Sequence, residues 1–152
     1  MLSLQDTYAP NNCCFGCGPK NEQGLRIKSF VQGEEIVAEW LPSPHHVAFE
    51  HILNGGICGA LLDCHSNWAA AYYLMQRRGE NAPPCTVTAE YAVKLLKPTP
   101  LLAPLHLSAR VVEASDKKAL VQASISVNGE VTATCLGTFV VVKEGHPAYH
   151  RW

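Results

Sequence analysis

Hydrophobic and polar positions change their period along the chain, and each change marks an element. Leu25 to Val31 alternates as Leu-Arg-Ile-Lys-Ser-Phe-Val, and Glu34 to Trp40 follows across Gln32-Gly33, which predicts a β-hairpin. Pro42 and Pro44 end the second strand and open an irregular segment that runs to Leu53. From Gly55 onward Ile57, Ala60, Leu61, Cys64, Trp68, Ala71, Tyr72 and Met75 recur at helical spacing as far as about Arg78. The positions between them, Cys58, Gly59, Leu62, Ala69 and Ala70, are also small or apolar, so this helix is expected to be buried nearly all round. At about 1.5 Å per residue it would span roughly 35 Å, enough to cross a domain. Gly79 and then Pro83-Pro84 stop it.

Beyond the prolines the period falls to two. The segments Cys85 to Leu95, Leu105 to Ala114, Ala119 to Val127 and Val131 to Val142 read as strands. Asn128-Gly129 between the last two is the strongest hairpin signal in the chain. Asp116-Lys117-Lys118 is a looser turn, and Pro98, Pro100 and Pro104 mark a longer connection. The order is β-β-α-β-β-β-β, an α+β chain whose antiparallel sheet wraps around one long central hydrophobic helix. No repeat or linker divides it, so residues 1–152 are expected to form one domain with its core at about 14–142. The edge of such a sheet favours association of copies.

Composition narrows the partners. Hydrophobic residues are 47% and charged residues 16% of the 152, with a net charge of −1. There is no dense basic block, so neither nucleic acid nor a membrane surface is an expected partner. No signal peptide or apolar span is evident, and the expected location is cytoplasmic. Seven cysteines is an odd number. Cys58, Cys64, Cys85 and Cys135 lie in apolar patterns, so reduced, buried thiols are expected rather than a disulfide scaffold. Cys14-x-x-Cys17 is half of a zinc site or a redox pair. Without a second such pair or a His-x3-His, a knuckle-like structural turn is preferred and no metal is expected.

Asp63 is the most informative residue. It sits inside the apolar helix, and the positions one turn away are Gly59, Ala60, Ser66 and Asn67, none of which can neutralise a carboxylate. An unpaired acid in such a helix is costly, which suggests a function. The bland alternative is an Asp at an exposed or interface point of the helix, hydrogen-bonded to Asn67. Asn54-Gly55-Gly56 marks the predicted helix start, where Asn caps well and glycines leave the backbone N–H groups approachable. Such N–H groups stabilise developing negative charge. Asp63 lies about 13 Å further along the same helix, too far for both ends to act on one carbonyl. The two make one site only if Asp63 of one subunit faces Gly55 of another.

The run Asn54-Gly55-Gly56-Ile57-Cys58-Gly59-Ala60-Leu61-Leu62-Asp63 resembles the His-Gly-Gly-x6-Asp signature of the PaaI-like acyl-CoA thioesterases of the hotdog superfamily. Cys14-Phe15-Gly16-Cys17-Gly18 with Gly24-Leu25, the strand Thr88 to Leu95 with Leu96-Lys97-Pro98, and Gly137 to Val141 extend the likeness. The resemblance implies a hotdog fold and hydrolysis of acyl-CoA-type thioesters by a homodimer or homotetramer. It makes Asp63 the general base or nucleophile, Gly55 N–H the oxyanion donor, and Thr88 the hydroxyl that orients water or the carboxylate. No cofactor is implied beyond the coenzyme A of the substrate.

One departure stands out: the family's His is Asn54 here, which can donate a hydrogen bond and cap the helix but cannot carry a proton. A non-catalytic acyl-CoA-binding module is therefore the alternative reading. Among substrate contacts, Gly56, Ser66 and Asn67 are candidates near the motif, and Lys94 and Lys97 for phosphate, with Arg77 and Arg78 behind them. His45, His46 and His51 precede the motif and are more readily explained as loop residues. Trp68, Tyr72 and Tyr73 fit core packing better than an acyl tunnel, and the tail from His146 to Trp152 suggests no role.

Overall fold

The computed structural model describes residues 1–152. Its centre is the long helix α2, Gly55–Arg78, with the bounds that the apolar pattern predicts. Asn54 opens it, its Oδ1 accepting from Ile57 N at 3.2 Å. Gly79 closes it in the left-handed region at φ 64°, which a Cβ would resist, and its N–H returns to the last turn. Arg77 and Arg78 add positive charge where the helix dipole is negative. Leu61, Leu62, Trp68, Ala70, Ala71 and Leu74 are fully buried. Each large side chain among them stabilises the fold by about 1.5–3 kcal/mol through burial.

A six-stranded antiparallel sheet curls around this helix in the order β1-β2-β6-β7-β8-β5. The strands are β1 (Phe30–Gln32), β2 (Glu35–Trp40), β5 (Thr86–Leu95), β6 (Leu105–Ala114), β7 (Lys118–Val127) and β8 (Glu130–Val141). Helix α2 packs against β5 through β8 and β2. Alternate residues of β7, from Ala119 through Val121, Ala123 and Ile125 to Val127, are buried against it. The β7–β8 turn takes positive φ at both Asn128 (51°) and Gly129 (81°), as a tight hairpin requires. The expected sheet wrapped around one hydrophobic helix is thus present.

Two sequence expectations change. The first strand of the opening hairpin is only Phe30–Gln32, not Leu25 to Val31, and its turn is Gly33-Glu34. Arg26 sits at φ 53°, which interrupts an extended strand, and Trp40 Nε1 donates to the Leu25 carbonyl that a neighbouring strand would have taken. The alternation of Leu25 and Ile27 records burial without sheet pairing: both are in the core. The segment before α2 is also less irregular than expected. It holds a 3-10 turn at Pro44–His46 and the short pair β3 (Val47–Phe49) and β4 (Ile52–Leu53). A helix α1, Leu4–Tyr8, capped by Ser3, precedes everything the pattern announced.

Candidate functional site

Asp63 and Asn67 are four residues apart on α2, and Thr86 and Thr88 are two apart on β5. The first spacing is about 6 Å along a helix and the second about 6.7 Å along a strand, so two rungs can form between the elements. Both do. Thr88 Oγ1 donates to Asp63 Oδ1 at 2.6 Å, and Thr86 Oγ1 donates to Asn67 Oδ1 at 2.7 Å. Asn67 is therefore spent on β5 and forms no hydrogen bond with Asp63, so the bland expectation of an Asp63–Asn67 pair is replaced. Next to Thr88 the β5–β8 register slips: Thr88 faces Phe139 and Glu90 faces Thr138, leaving Ala89 as a bulge. A bulge re-aims the side chains beside it, and this one adjoins the residue that meets the carboxylate.

Asp63 is half-buried and forms no ion pair. Burial pushes its carboxyl above the ordinary range, the Thr88 hydroxyl opposes that shift, the nearby Cys14 sulfur adds to it, and Arg151 opposes it. Arg151 arrives from the tail. Its guanidinium donates to Thr86 O at 3.3 Å and lies 4.6 Å from the Trp152 ring, which itself stacks on the buried Trp68 at 4.6 Å. The tail thus has a place beside the site that no period in the sequence announces. Its only sequence signal is a cation and an indole side by side.

At the other end of α2 the chain prepares a different environment. The first N–H groups of a helix have no intrahelical acceptor, and here they belong to Gly55 and Gly56. Both positions are closely approached by neighbouring side chains. A Cβ at Gly55 would lie 2.9 Å from Leu95 Cδ1, and one at Gly56 would lie 2.9 Å from the capping Oδ1 of Asn54. A cleft of about 310 Å³ opens here, lined mainly by apolar groups including Phe49, Leu53, Gly55, Leu95 and Leu96, with Lys97 on its wall.

The remaining expected residues fall into place less evenly. Ser66 is fully buried with no partner for its hydroxyl, so neither Ser66 nor Asn67 is helix surface. Lys94 is exposed on β5, whereas Lys97 forms an ion pair with Glu130. Arg77 and Arg78 pair with Asp116 and Glu80. His46 closes the 3-10 turn by accepting from Ser43 N at 2.8 Å, and its ring lies against Trp40 and His45. None of His45, His46 and His51 hydrogen-bonds Asp63 or Asn54 through its side chain. Trp68 is core, Tyr72 is half-buried and Tyr73 is exposed. All seven cysteines are free, but only Cys58, Cys135 and Cys17 are fully buried, while Cys64 and Cys85 are half-buried. Cys14, Cys17 and Cys64 lie close enough together to hold a metal ion.

An antiparallel sheet wrapped around one central helix is the hotdog fold, and solved structures that share it with this chain include thioesterase-superfamily proteins and PaaI. A thioesterase superfamily protein from Shewanella loihica PV-4 is 27% identical, with 91% of this chain and 99% of that one covered at a TM-score of 0.71. The PaaI protein of the phenylacetic acid degradation operon of E. coli is 14% identical, over 78% of this chain and 81% of that one, at 0.66. A Streptococcus mutans UA159 protein bound to acetyl CoA is also 14% identical, over 76% and 88%, at 0.64. No family model and no curated protein matches the sequence. No helix is long and apolar enough to cross a membrane.

Proposed function

We propose that this chain hydrolyses acyl-CoA-type thioesters as a homodimer or a dimer of dimers, with each site shared between two subunits. The observation that carries the reading is the half-buried Asp63 carboxylate, held by one hydroxyl and pushed toward a more basic character by its surroundings. In this mechanism Asp63 takes a proton from water as that water adds to the thioester carbonyl carbon, or Asp63 itself adds to form an anhydride that water then hydrolyses. Thr88 holds the carboxylate in line. The developing oxyanion is met by Gly55 N–H at the start of the partner's α2. The intermediate collapses by expelling a thiolate, a good leaving group that needs no strong acid, so Asn54 suffices where the family has His.

Association is supported by the sheet edge. Strand β5 is terminal and exposes Tyr91 and Leu95, with Leu96 beyond and Leu136 on the adjoining β8. The cleft at Gly55 would take the acyl or pantetheine portion, with Gly56 backbone, Lys94 and Lys97 toward the polar end of the substrate. The second reading, an acyl-CoA-binding module without turnover, rests on Asn54, whose side-chain oxygen is committed to capping.

The test is thiol release from a panel of acyl-CoAs by wild type and Asp63→Ala, alongside equilibrium binding of the same ligands. Release by wild type and its loss in the variant are expected. Binding without release supports the module, and equal release by both proteins removes Asp63 from the chemistry.

A further inference from the structure

The loop before β1 carries Cys14 and Cys17, and the middle of α2 carries Cys64. Their three Sγ atoms all lie within 4.8 Å of one another, and Cys14 and Cys64 Sγ are 3.8 Å apart. Thiolates placed tetrahedrally at about 2.3 Å from a zinc ion stand about 3.8 Å from each other. The backbone is shaped for this approach. A Cβ at Gly16 would lie 2.3 Å from Cys64 Sγ, and one at Gly18 would lie 2.4 Å from Cys14 N. Neither position has room for a side chain, and the turn closes with Gly18 N donating to Cys14 O at 2.8 Å.

Donors also converge on sulfur. Cys14 and Cys64 Sγ meet at hydrogen-bond distance, and Trp68 Nε1 donates to Cys17 Sγ at 3.4 Å. A neutral thiol is a weak acceptor, whereas a thiolate rewards such donors.

We propose that Cys14, Cys17 and Cys64 together bind one zinc(II) ion, a three-thiolate site that clamps the N-terminal knuckle to the central helix. Binding displaces the thiol protons to solvent and leaves a metal–thiolate unit with a single net negative charge. The fourth position takes a water. Entry is from the Cys14 side, since Cys14 is half-exposed and Cys17 is buried. The site departs from the expectation of no metal because its third ligand lies in the helix, outside any local cysteine spacing.

The reduced full-length chain, freed of metal, is titrated with cadmium(II) and separately with zinc(II). The expected result is one ion per chain, with cadmium charge-transfer absorption of three thiolates. Zinc should protect Cys14, Cys17 and Cys64 from iodoacetamide in peptide mapping, while the exposed Cys13 labels either way. Wild type answers these questions without any substitution. Cys14→Ser and Cys64→Ser should each weaken cadmium binding by more than about a hundredfold, beyond what loss of a supporting contact does, whereas Cys13→Ser binds as wild type. No uptake, fewer than three thiolates, or protection by zinc of cysteines that label in its absence but lie outside the trio overturns the proposal. So does a trio that is found as a disulfide and takes up no cadmium once reduced.

Discussion

Replacing Thr88 by Val tests whether the rung between β5 and α2 serves the reaction or only the fold. The substitution keeps the β-branched shape and deletes the hydroxyl that donates to Asp63 Oδ1 at 2.6 Å. A hydrogen bond to a charged group is worth about 1.5–3 kcal/mol, which converts to roughly a ten- to hundredfold loss in kcat/KM if the carboxylate acts in its ionised form. Removing the proposed base by Asp63→Asn is expected to cost about 10²–10⁴. Because Thr88 would act through Asp63, its loss should cost almost nothing further once Asp63 is Asn, so the pair is strongly non-additive. The assay is thiol release by all four proteins of the cycle, with thermal melts to confirm that each is folded. The Thr88→Val deficit should also grow toward acid pH, since losing the donor favours the protonated carboxyl. If Thr88→Val lowers activity by the same factor with and without Asp63, or leaves wild-type activity unchanged, the rung has no part in catalysis.

Further outcomes follow from other parts of the molecule. Tyr91→Lys places a charge on the exposed face of edge strand β5 and should shift the chain toward monomer in sedimentation velocity, with thiol release falling in parallel. Gly16→Ala forces its Cβ onto Cys64 Sγ and should destabilise by about 1–3 kcal/mol in urea titration, as overpacking does. Asp6 accepts from Lys28 Nζ at 2.6 Å, and that contact holds its carboxyl below the ordinary range. A depressed acid stabilises the fold above its unfolded pKa and loses that contribution as pH falls through its folded value. Asp6→Asn should therefore cost at most about 1 kcal/mol at neutral pH, because the pair is partly exposed to solvent, and the difference should vanish in acid. A gap that widens in acid would contradict the sign.

Much of the architecture is legible because burial imposes a period. Helix α2 is apolar on nearly every face, its Asn54 and Gly79 ends are chemically marked, and Asn128-Gly129 fixes the β7–β8 hairpin. The same rule misleads at Leu25 and Ile27, which alternate because both enter the core, although the chain there pairs with no strand. At the site, Asp63 stands out as a charge in an apolar helix, but its partner is legible only through the resemblance at Thr88. The bulge at Ala89 leaves no mark in the pattern, since one inserted residue in a strand looks like any other. The thiol cluster is invisible for a different reason. Cys14 and Cys17 carry a recognisable spacing, while Cys64 reads as one more small apolar residue of the helix until the loop folds against it.

Asn54 is the point on which the proposed chemistry turns. As a cap it holds Ile57 N with its side-chain oxygen, and Gly56 is small enough to leave that oxygen in place. Asn is among the better N-caps and His is not, so this chain has a more firmly fixed helix start in exchange for a group that can carry a proton. The exchange matters little if the step at this end is the binding of an oxyanion by backbone N–H, because fixing the first turn fixes those donors. It matters a great deal if the leaving group must be protonated. Thioesters and oxygen esters separate the two cases: a thiolate leaves unaided, whereas an alkoxide does not. Asn54→His should therefore change thioester turnover by less than about tenfold while raising hydrolysis of the matching oxygen ester by about 10²-fold or more, the scale of general acid catalysis. Oxygen-ester hydrolysis by wild type on a par with thioester hydrolysis would mean that a proton donor other than residue 54 already serves the site.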